Sequence, residues 1–135
     1  MADQNASFQF TNPPALSKPV GYTHVVIVTG GRNVYISGQV PLDAEGKLVG
    51  EGDLRAQATQ VFRNLNSALE SVGADFNSVV KLGFYFTDIS QIAVVREVRD
   101  QFINRQYPPA STAVEVRRLF REGILIEVDA IAVLP

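Results

Sequence analysis

One long amphipathic helix constrains the fold more than any other feature of the sequence. Apolar residues recur at three- and four-residue spacing from Leu54 to Val72, which predicts a helix with one apolar face. Asp53 stands where an N-cap residue is expected, and Gly73 supplies a C-terminal stop. Because such a helix is stable only when its apolar face is buried, the rest of the chain has to provide a surface for it.

Shorter segments on both sides of this helix have the composition and patterning of β-strands. The predicted strands are His24–Val28, Asn33–Ser37, Val79–Phe86, Ala110–Val116 and Leu125–Leu134, with a short strand over residues 8–10 before them. Gly30 and Gly31 stand between the first two, which predicts a hairpin turn there. Gly38 then breaks the strand pattern.

A second helix is predicted after strand Val79–Phe86. Asp88 or Ser90 can cap it, and it is expected to run to about Asn104, before the prolines at 108 and 109. The resulting order, ββαβαββ, predicts an α+β fold with both helices on one face of a mixed sheet. The other sheet face also carries apolar residues, so we expect another subunit to cover it.

The length of 135 residues corresponds to one domain. We expect an N-terminal arm over residues 1–20, in which Met1–Ser7 is polar and loosely held and the prolines favour irregular structure. The domain proper is then expected over residues 21–135. Residues near the N-terminus lack the pattern of a signal peptide, and no apolar stretch is long enough to span a membrane, so a cytoplasmic setting is the expectation.

Composition excludes several chemistries. The chain has no cysteine and one histidine, which excludes disulfides, thiolate catalysis and multi-histidine or cysteine metal sites within one chain. The formal net charge of −2 gives no electrostatic reason to expect a nucleic-acid partner. Composition therefore favours neither cysteine chemistry nor a nucleic-acid partner.

Several segments in register carry a family resemblance. Residues 34–41, with the sequence VYISGQVP, resemble the strand-and-turn signature of the RidA (YjgF) family, also called the reactive-intermediate deaminase or L-PSP family. The likeness continues, in order, at residues 57–69, 79–82, 86–88, 109–110 and 127–132. It covers nearly everything from Gly21 to Val133.

The resemblance implies a homotrimer of chorismate-mutase-like subunits with ligand sites in the clefts between them. It also implies hydrolysis of enamine or imine metabolites to 2-oxo acids and ammonia, with no metal or organic cofactor and with a small carboxylate as ligand. Two other functions stay open at this point. One is a non-catalytic metabolite-binding protein, and the other, ranked last, is the ribonuclease or translation-inhibitor activity of some relatives.

The sequence departs from the family at the position that normally holds the substrate carboxylate. Active deaminases resembling this chain have an arginine directly after the Pro-Ala pair, and here that position is Ser111. A cysteine is typical two residues later, and here it is Ala113. Serine cannot form the bidentate bonds of arginine, so whether the chain is an enzyme at all is left open.

Arg96 is the candidate replacement. It projects, with Arg99, from the apolar face of the second predicted helix, and it occupies the position where the family often has a pocket asparagine. Our hypothesis is that Arg96 holds the carboxylate from another wall of the pocket. The alternative is an interface ion pair with Glu115 or Glu127 of a neighbouring subunit.

Glu127 is the candidate proton carrier or water-orienting group, because the resemblance places it in the cleft and burial would raise its pKa. A structural partnership with Arg117 or Arg118 is the alternative. Local similarity matches Tyr22 to the cleft tyrosine of the family, whereas ungapped counting from Ser37 selects His24. A lone histidine is more often structural, but its ordinary pKa suits proton transfer.

Ser37, Gly38 and Gln39 form a backbone that a ligand could approach closely, or a bulge that bends the strand. The complete set of candidates separates into catalytic and substrate-binding residues. The catalytic candidates are Glu127, His24 and Tyr22, and the substrate-binding candidates are Ser37, Gly38, Gln39, Arg96, Ser111 and Ala113.

Overall fold

The strands and helices of the chain follow the predicted order, including the short first strand predicted over residues 8–10. A computed structural model describes residues 6–135. Its elements are β1 (Ser7–Thr11), β2 (Val25–Thr29), β3 (Arg32–Gln39), α1 (Leu54–Glu70), β4 (Val79–Phe86), α2 (Ile92–Arg99), β5 (Ala110–Glu115) and β6 (Ile126–Leu134). The prediction of a loose Met1–Ser7 falls mostly outside the described residues, and Ser7 itself begins β1.

Four of the strands form a mixed sheet in the order β3-β6-β4-β5. Strands β4 and β5 are parallel, whereas β6 is antiparallel to both β3 and β4. The remaining two strands, β1 and β2, form a separate antiparallel ribbon. A register shift between Ile36 and Gln39 marks a bulge at Gly38, as the sequence allowed.

Helix α1 confirms the long amphipathic helix predicted from Leu54 onward. The Asp53 carboxylate accepts a hydrogen bond from the backbone N–H of Ala56 at 3.1 Å, which caps the helix. Gly73 adopts a φ of +77° just beyond its end, where a side chain would be strained. The centre of the apolar face is completely buried against the sheet and α2, whereas Val72, beyond the end of the helix, is exposed.

The core lies between the helices and one face of the sheet, which confirms the predicted α+β arrangement. Ring contacts organise its centre: the side chain of Phe62 on α1 packs on Phe76, Phe84 and Phe102 at centroid distances of 5.3–6.2 Å. Strand β6 contributes alternate residues to the same side, and Ile126 and Val128 are completely buried. Within residues 6–135, neither helix has the length and hydrophobicity that crossing a bilayer requires.

A polar side chain in this core connects three parts of the chain. Gln57 on α1 is 0% exposed. Its amide nitrogen donates to the carbonyl oxygens of Gly50 and Gly123 at 3.1 and 2.8 Å, and its oxygen accepts from the backbone N–H of Leu125 at 2.8 Å. The helix is thereby tied to the loop before it and to the loop that leads into β6.

The predicted hairpin between the second and third strands is wrong. Gly30 and Gly31 do have positive φ values, 75° and 81°, but β2 pairs with β1 and β3 pairs with β6. A contact distant in sequence explains this, because the backbone N–H of Thr23 donates to the carbonyl of Pro109 at 3.1 Å. This contact holds the chain before β2 beside β5, at the edge of the sheet opposite β3.

Helix α2 is shorter than predicted and ends at Arg99 rather than near Asn104. After Arg99, the backbone N–H groups of Gln101 and Phe102 bond to carbonyls three residues earlier, which tightens the chain and ends the α-helical ladder. Asp88, one of the two predicted caps, accepts from the N–H of Ser90 and caps a 3₁₀ turn that leads into α2. The Ser90 hydroxyl also donates to the Asp88 carboxylate at 2.6 Å, and this bond, followed by the one from the Ser90 N–H, lowers the pKa of Asp88.

Gln57→Leu tests the importance of the buried amide. The substitution retains the approximate volume but leaves two carbonyls and one N–H without their partner. We expect a loss of about 2–4 kcal/mol in the free energy of unfolding, measured by urea denaturation. Gln101→Leu, at an exposed position after α2, is the matched control and is expected to change stability by less than about 0.5 kcal/mol.

Candidate functional site

A small cavity lies between α2, the edge of the sheet and the N-terminal arm. Its volume is about 130 Å³. Most of its wall is apolar, and the polar exceptions are Tyr22, Ser111 and two arginines on α2. The lining residues are Val20, Tyr22, Phe84, Phe86, Ile92, Val95, Arg96, Arg99, Ser111 and Ala113.

Strand register explains why Ser111 and Ala113 point into this cavity. In the parallel pair β4–β5, Ser111 aligns with Leu82 and Ala113 aligns with Phe84. Leu82 and Phe84 are buried on the helix side of the sheet, so their neighbours on β5 face the same side. Both positions that depart from the family pattern therefore lie in one cavity wall, as their shared strand face predicted.

The arm brings Tyr22 to the opposite wall. Thr23 is buried, and its hydroxyl donates to the carbonyl of Pro108 while its backbone N–H donates to Pro109. These two bonds fix the chain beside the start of β5. As a result Tyr22, Arg96, Ser111 and Ala113, four of the predicted site residues, line the same space.

His24 lies outside this cavity. Its Nε2 atom is 2.7 Å from the carbonyl oxygen of Ser17, and its backbone N–H donates to the side chain of Asn12 at 2.8 Å. The imidazole also packs edge-on against the Tyr22 ring, with centroids 5.2 Å apart. These contacts match the structural role weighed for a lone histidine, because they fix the arm that carries Tyr22.

Arg99 was not among the predicted site residues, although its helix face was recognised. Its side chain is only 9% exposed, and it pairs with the neighbouring Asp100 at 2.9 Å. Arg96, one turn earlier, is exposed at the rim and makes no ion pair with any residue in 6–135. No sequence signal indicated this burial, because it depends on how the arm folds: Gly21 in the arm lies against the Arg99 guanidinium.

The other predicted residues lie on the opposite face of the sheet. Glu127 alternates with the buried Ile126 and Val128, so its side chain points away from the helices. Its carboxylate lies directly over Gly38: a Cβ on that glycine would collide with Oε2 and stand 2.7 Å from Cδ. The absence of a side chain at Gly38 therefore makes room for Glu127.

Ser37 and Gly38 line a shallow depression on this open face. Gln39 is at the bulge, and its side-chain amide donates to the carbonyl of Ser37 at 3.1 Å. Within one chain, the candidate site residues therefore lie in two groups on opposite faces of the sheet. Ser37, Gly38 and Glu127 lie on the open face, and the cavity residues lie on the helix face.

Two neighbouring acids give the open face its electrostatic character. Burial, and secondly the charge of Asp129, raise the pKa of Glu127. The Tyr85 hydroxyl donates to Asp129 Oδ2 at 3.1 Å. That bond and the negative charge of Asp129 raise the pKa of Tyr85. Glu127 therefore holds a proton more readily than an ordinary exposed glutamate does.

Fold and cavity together define the class: a small α+β protein with a ligand-sized cavity at the sheet edge and an acid on the opposite sheet face. Residues 14–134 match the family model described as "Endoribonuclease L-PSP". The chain belongs to this family, the RidA/YjgF family, as its sequence resemblance indicated.

Relatives and solved structures agree with this assignment. A RutC family protein of Pyrococcus abyssi is 37% identical over 85% of this chain and 88% of its own length. The human protein called 2-iminobutanoate/2-iminopropanoate deaminase is 34% identical over 83% of this chain and 79% of its own. The crystal structure of YyfB, a Rid family protein of unknown function from Yersinia pestis, superposes with a TM-score of 0.84. It is 32% identical and covers 94% of this chain and 98% of its own.

Glu127→Gln tests the electrostatics of the open face. Because the folded chain raises the pKa of Glu127, the carboxyl contributes stability while it is protonated and loses that contribution as pH rises through the raised pKa. Glutamine is neutral at every pH. We expect the variant to melt about 1–3 °C above the wild type at about pH 7.5, with the difference shrinking towards about pH 4.

Differential scanning fluorimetry across that pH range makes the measurement, with Glu45→Gln in an exposed turn as the matched control. A lower melting temperature for Glu127→Gln at neutral pH would contradict the prediction. It would indicate that a cation of another copy pairs with this carboxylate.

Proposed function

We propose that the protein is a homotrimeric deaminase of small imine or enamine carboxylates whose specificity differs from that of the usual family members. The observation that carries the proposal is the cavity in which two arginines from α2 lie across from Ser111. Although Ser111 replaces the family arginine on β5, Arg96 and Arg99 still supply positive charge to the cavity. The name of the human relative, a deaminase of 2-imino acids, supports the reaction class.

In this proposal, the cavity holds the carboxylate and the aliphatic part of the substrate. Arg96 at the rim attracts the anion, as hypothesised from the sequence, and the apolar wall formed by Phe84 and Val95 receives the side chain. Ser111 offers one neutral hydrogen bond where the family arginine would offer two charged ones. A substrate is therefore oriented from the helix side of the cavity rather than from the strand.

Trimer assembly is part of the proposal because one chain does not bring all candidates together. Glu127 with Ser37 and Gly38 is on one sheet face, and the cavity is on the other. The open face carries exposed apolar groups such as Tyr35 (74%) and Val114 (39%), which favours its burial against another copy. In the trimer, Glu127 of one subunit completes the cavity of the next.

The proposed chemistry is hydrolysis of a C=N bond. Water adds to the imine carbon, the nitrogen receives protons, and ammonia leaves as the carbon becomes the carbonyl of a 2-oxo acid. Glu127, whose pKa is raised by burial and by the charge of Asp129, transfers protons between the attacking water and the leaving nitrogen. The neighbouring Ser37–Gln39 backbone would orient the water, and a cytoplasmic setting would supply such metabolites.

The alternative is a binding protein that holds the same carboxylates without converting them. It is favoured by Ser111 at the catalytic arginine position. Ribonuclease activity ranks third despite the description of the family model, because a chain with a net charge of −2 has little electrostatic attraction for RNA.

A coupled assay separates catalysis from binding. An amino-acid oxidase generates 2-imino acids of graded side-chain length, and semicarbazide trapping measures their lifetime with and without the protein. We expect faster loss of short-chain imines, and a decrease of about 10²–10⁴-fold in that acceleration for Glu127→Gln. Unchanged imine lifetimes for every side chain would favour the binding protein.

Subunit complementation tests the shared site. Glu127→Gln and Arg96→Glu are expected to be inactive alone and, by light scattering, to have three times the subunit mass. When the two variants are co-expressed in equal amounts, about one site in four receives both intact residues if the site spans two subunits. Recovery of about a quarter of wild-type activity is expected, whereas a site within one chain would recover none.

A further inference from the structure

Two carboxyls are neighbours on the open face of the sheet, and a tyrosine hydroxyl bonds to only one of them. We propose that Tyr85 and Asp129 are positioning residues: Tyr85 holds Asp129 as the charged member of the pair, so that Glu127 is the member that takes up and releases the proton. This inference rests on the proposed function for the role of Glu127. It adds two residues that act through Glu127 and lie outside the cavity.

Strand register brings the three side chains together. In the antiparallel pair β4–β6, Tyr85 stands opposite Glu127, and Gly83 stands opposite Asp129. Both acids belong to the open face, because Val128 between them is buried on the helix side. The Tyr85 side chain reaches past its direct partner to the diagonal one, and its hydroxyl donates to Asp129 Oδ2 at 3.1 Å. Tyr85 therefore neighbours both acids.

Glycines on the two flanking strands leave room for the carboxyls. A Cβ on Gly38 of β3 would collide with Glu127 Oε2, and a Cβ on Gly83 of β4 would collide with Asp129 Oδ1. The added Cβ at Gly83 would also stand 3.3 Å from the Tyr85 hydroxyl. Neither glycine has a positive φ, so the backbone conformation does not require glycine at either position. The missing side chains at 38 and 83 instead provide the space that the two acids occupy.

Within the described part of the chain, neither acid has a cation as its partner. Lys81 is the cation on this face, and its Nζ donates to Thr112 Oγ1 on β5 at 2.7 Å. The titratable groups that face this part of the sheet are Tyr35 on β3, Lys81 and Tyr85 on β4, and the two acids on β6, whereas β5 contributes the neutral Thr112 and Val114. Asp129 is therefore stabilised by a hydroxyl, and its charge is not neutralised.

The two acids thus have different environments. Asp129 accepts the Tyr85 hydroxyl bond, and a donor stabilises the charged form of a carboxyl. Glu127 is half-buried and accepts no hydrogen bond from residues 6–135, and burial, followed by the charge of Asp129, raises its pKa. When their surroundings drive two titratable groups apart in this way, one is suited to be a fixed charge and the other to carry the proton.

Hydrolysis of a C=N bond uses this division. Glu127 accepts a proton from the attacking water and later gives one to the leaving nitrogen, so it has to retain the proton between the two transfers. The fixed negative charge of Asp129 favours the protonated form of Glu127 during that interval. Neither Asp129 nor Tyr85 lines the cavity, so both act through Glu127 and not on the ligand.

Asp129→Asn keeps the shape of the side chain and removes its charge, which tests the inference on the intact protein. The Glu127 carboxyl is titrated by carbon-detected NMR with isotope-labelled glutamate, and its signal is identified by its absence in Glu127→Gln. We expect the titration midpoint of Glu127 to move to lower pH, because a charge that favours its protonated form is gone. In the imine assay, kcat is expected to fall about three- to tenfold with KM unchanged, and the pH profile of kcat is expected to move in the same direction as the midpoint.

Tyr85→Phe keeps the ring and removes the donor. We expect the Glu127 titration to broaden, because the proton is then shared between the two carboxyls. Tyr35→Phe is the matched control, since it removes the hydroxyl of an exposed tyrosine on the same sheet face, and its titration is expected to equal that of the wild type. Tyr85→Phe also keeps the test valid if Asp129→Asn does not fold.

An unchanged or raised midpoint in Asp129→Asn would overturn the inference, and so would a Tyr85→Phe titration identical to that of Tyr35→Phe. The two proposals fail separately. A lower Glu127 midpoint in Asp129→Asn without accelerated imine loss by the wild type would support the positioning residues and reject catalysis. Accelerated imine loss with the same pH profile in the wild type and Asp129→Asn would support catalysis and reject the positioning residues.

Discussion

The buried amide of Gln57 is the interaction on which the placement of the site depends. It satisfies backbone groups of Gly50, Gly123 and Leu125 at once, in a region where an unpaired polar group would be costly. By fixing Leu125 it sets where β6 begins. Because β6 is paired on both sides, its first residue decides which side chains of the strand face the helices. The position of Glu127 on the open face follows from this register.

Because side chains alternate along each strand, the candidate site residues of one chain point to opposite faces of the sheet. Ser111 and Ala113 on β5 face the helices, and Glu127 on β6 faces away from them. No side-chain rotation moves a group through a hydrogen-bonded sheet, so a single subunit cannot bring the acid to the cavity. A site that uses both has to be assembled from two copies. Strand geometry and the exposed apolar surface thus both support the oligomer of the proposed function.

Local sequence patterns predicted what local interactions determine. The period of α1, its Asp53 cap and the alternation of β6 are all found where expected. The failures came from contacts distant in sequence. A glycine pair at 30 and 31 permits a hairpin but equally permits a passage between two sheets, and the bonds of Thr23 to residues 108 and 109 decide between them. Arg99 was missed for the same reason, since its burial depends on the arm.

In the proposed site the ligand-binding cation is on helix α2 instead of strand β5, so α2 is the part of the protein expected to control specificity. In the family pattern, the carboxylate grip lies on the strand that also forms the cavity floor. Here Arg96 and Arg99 share α2 with Ile92 and Val95, which line the apolar wall. The carboxylate-binding arginines and the apolar wall that would receive the ligand side chain therefore move together when α2 moves. Glu127, the proposed proton carrier, is on a different face of the sheet, so we expect substitutions in α2 to change the preferred ligand without disturbing Glu127. This separation permits altered specificity within an unchanged fold.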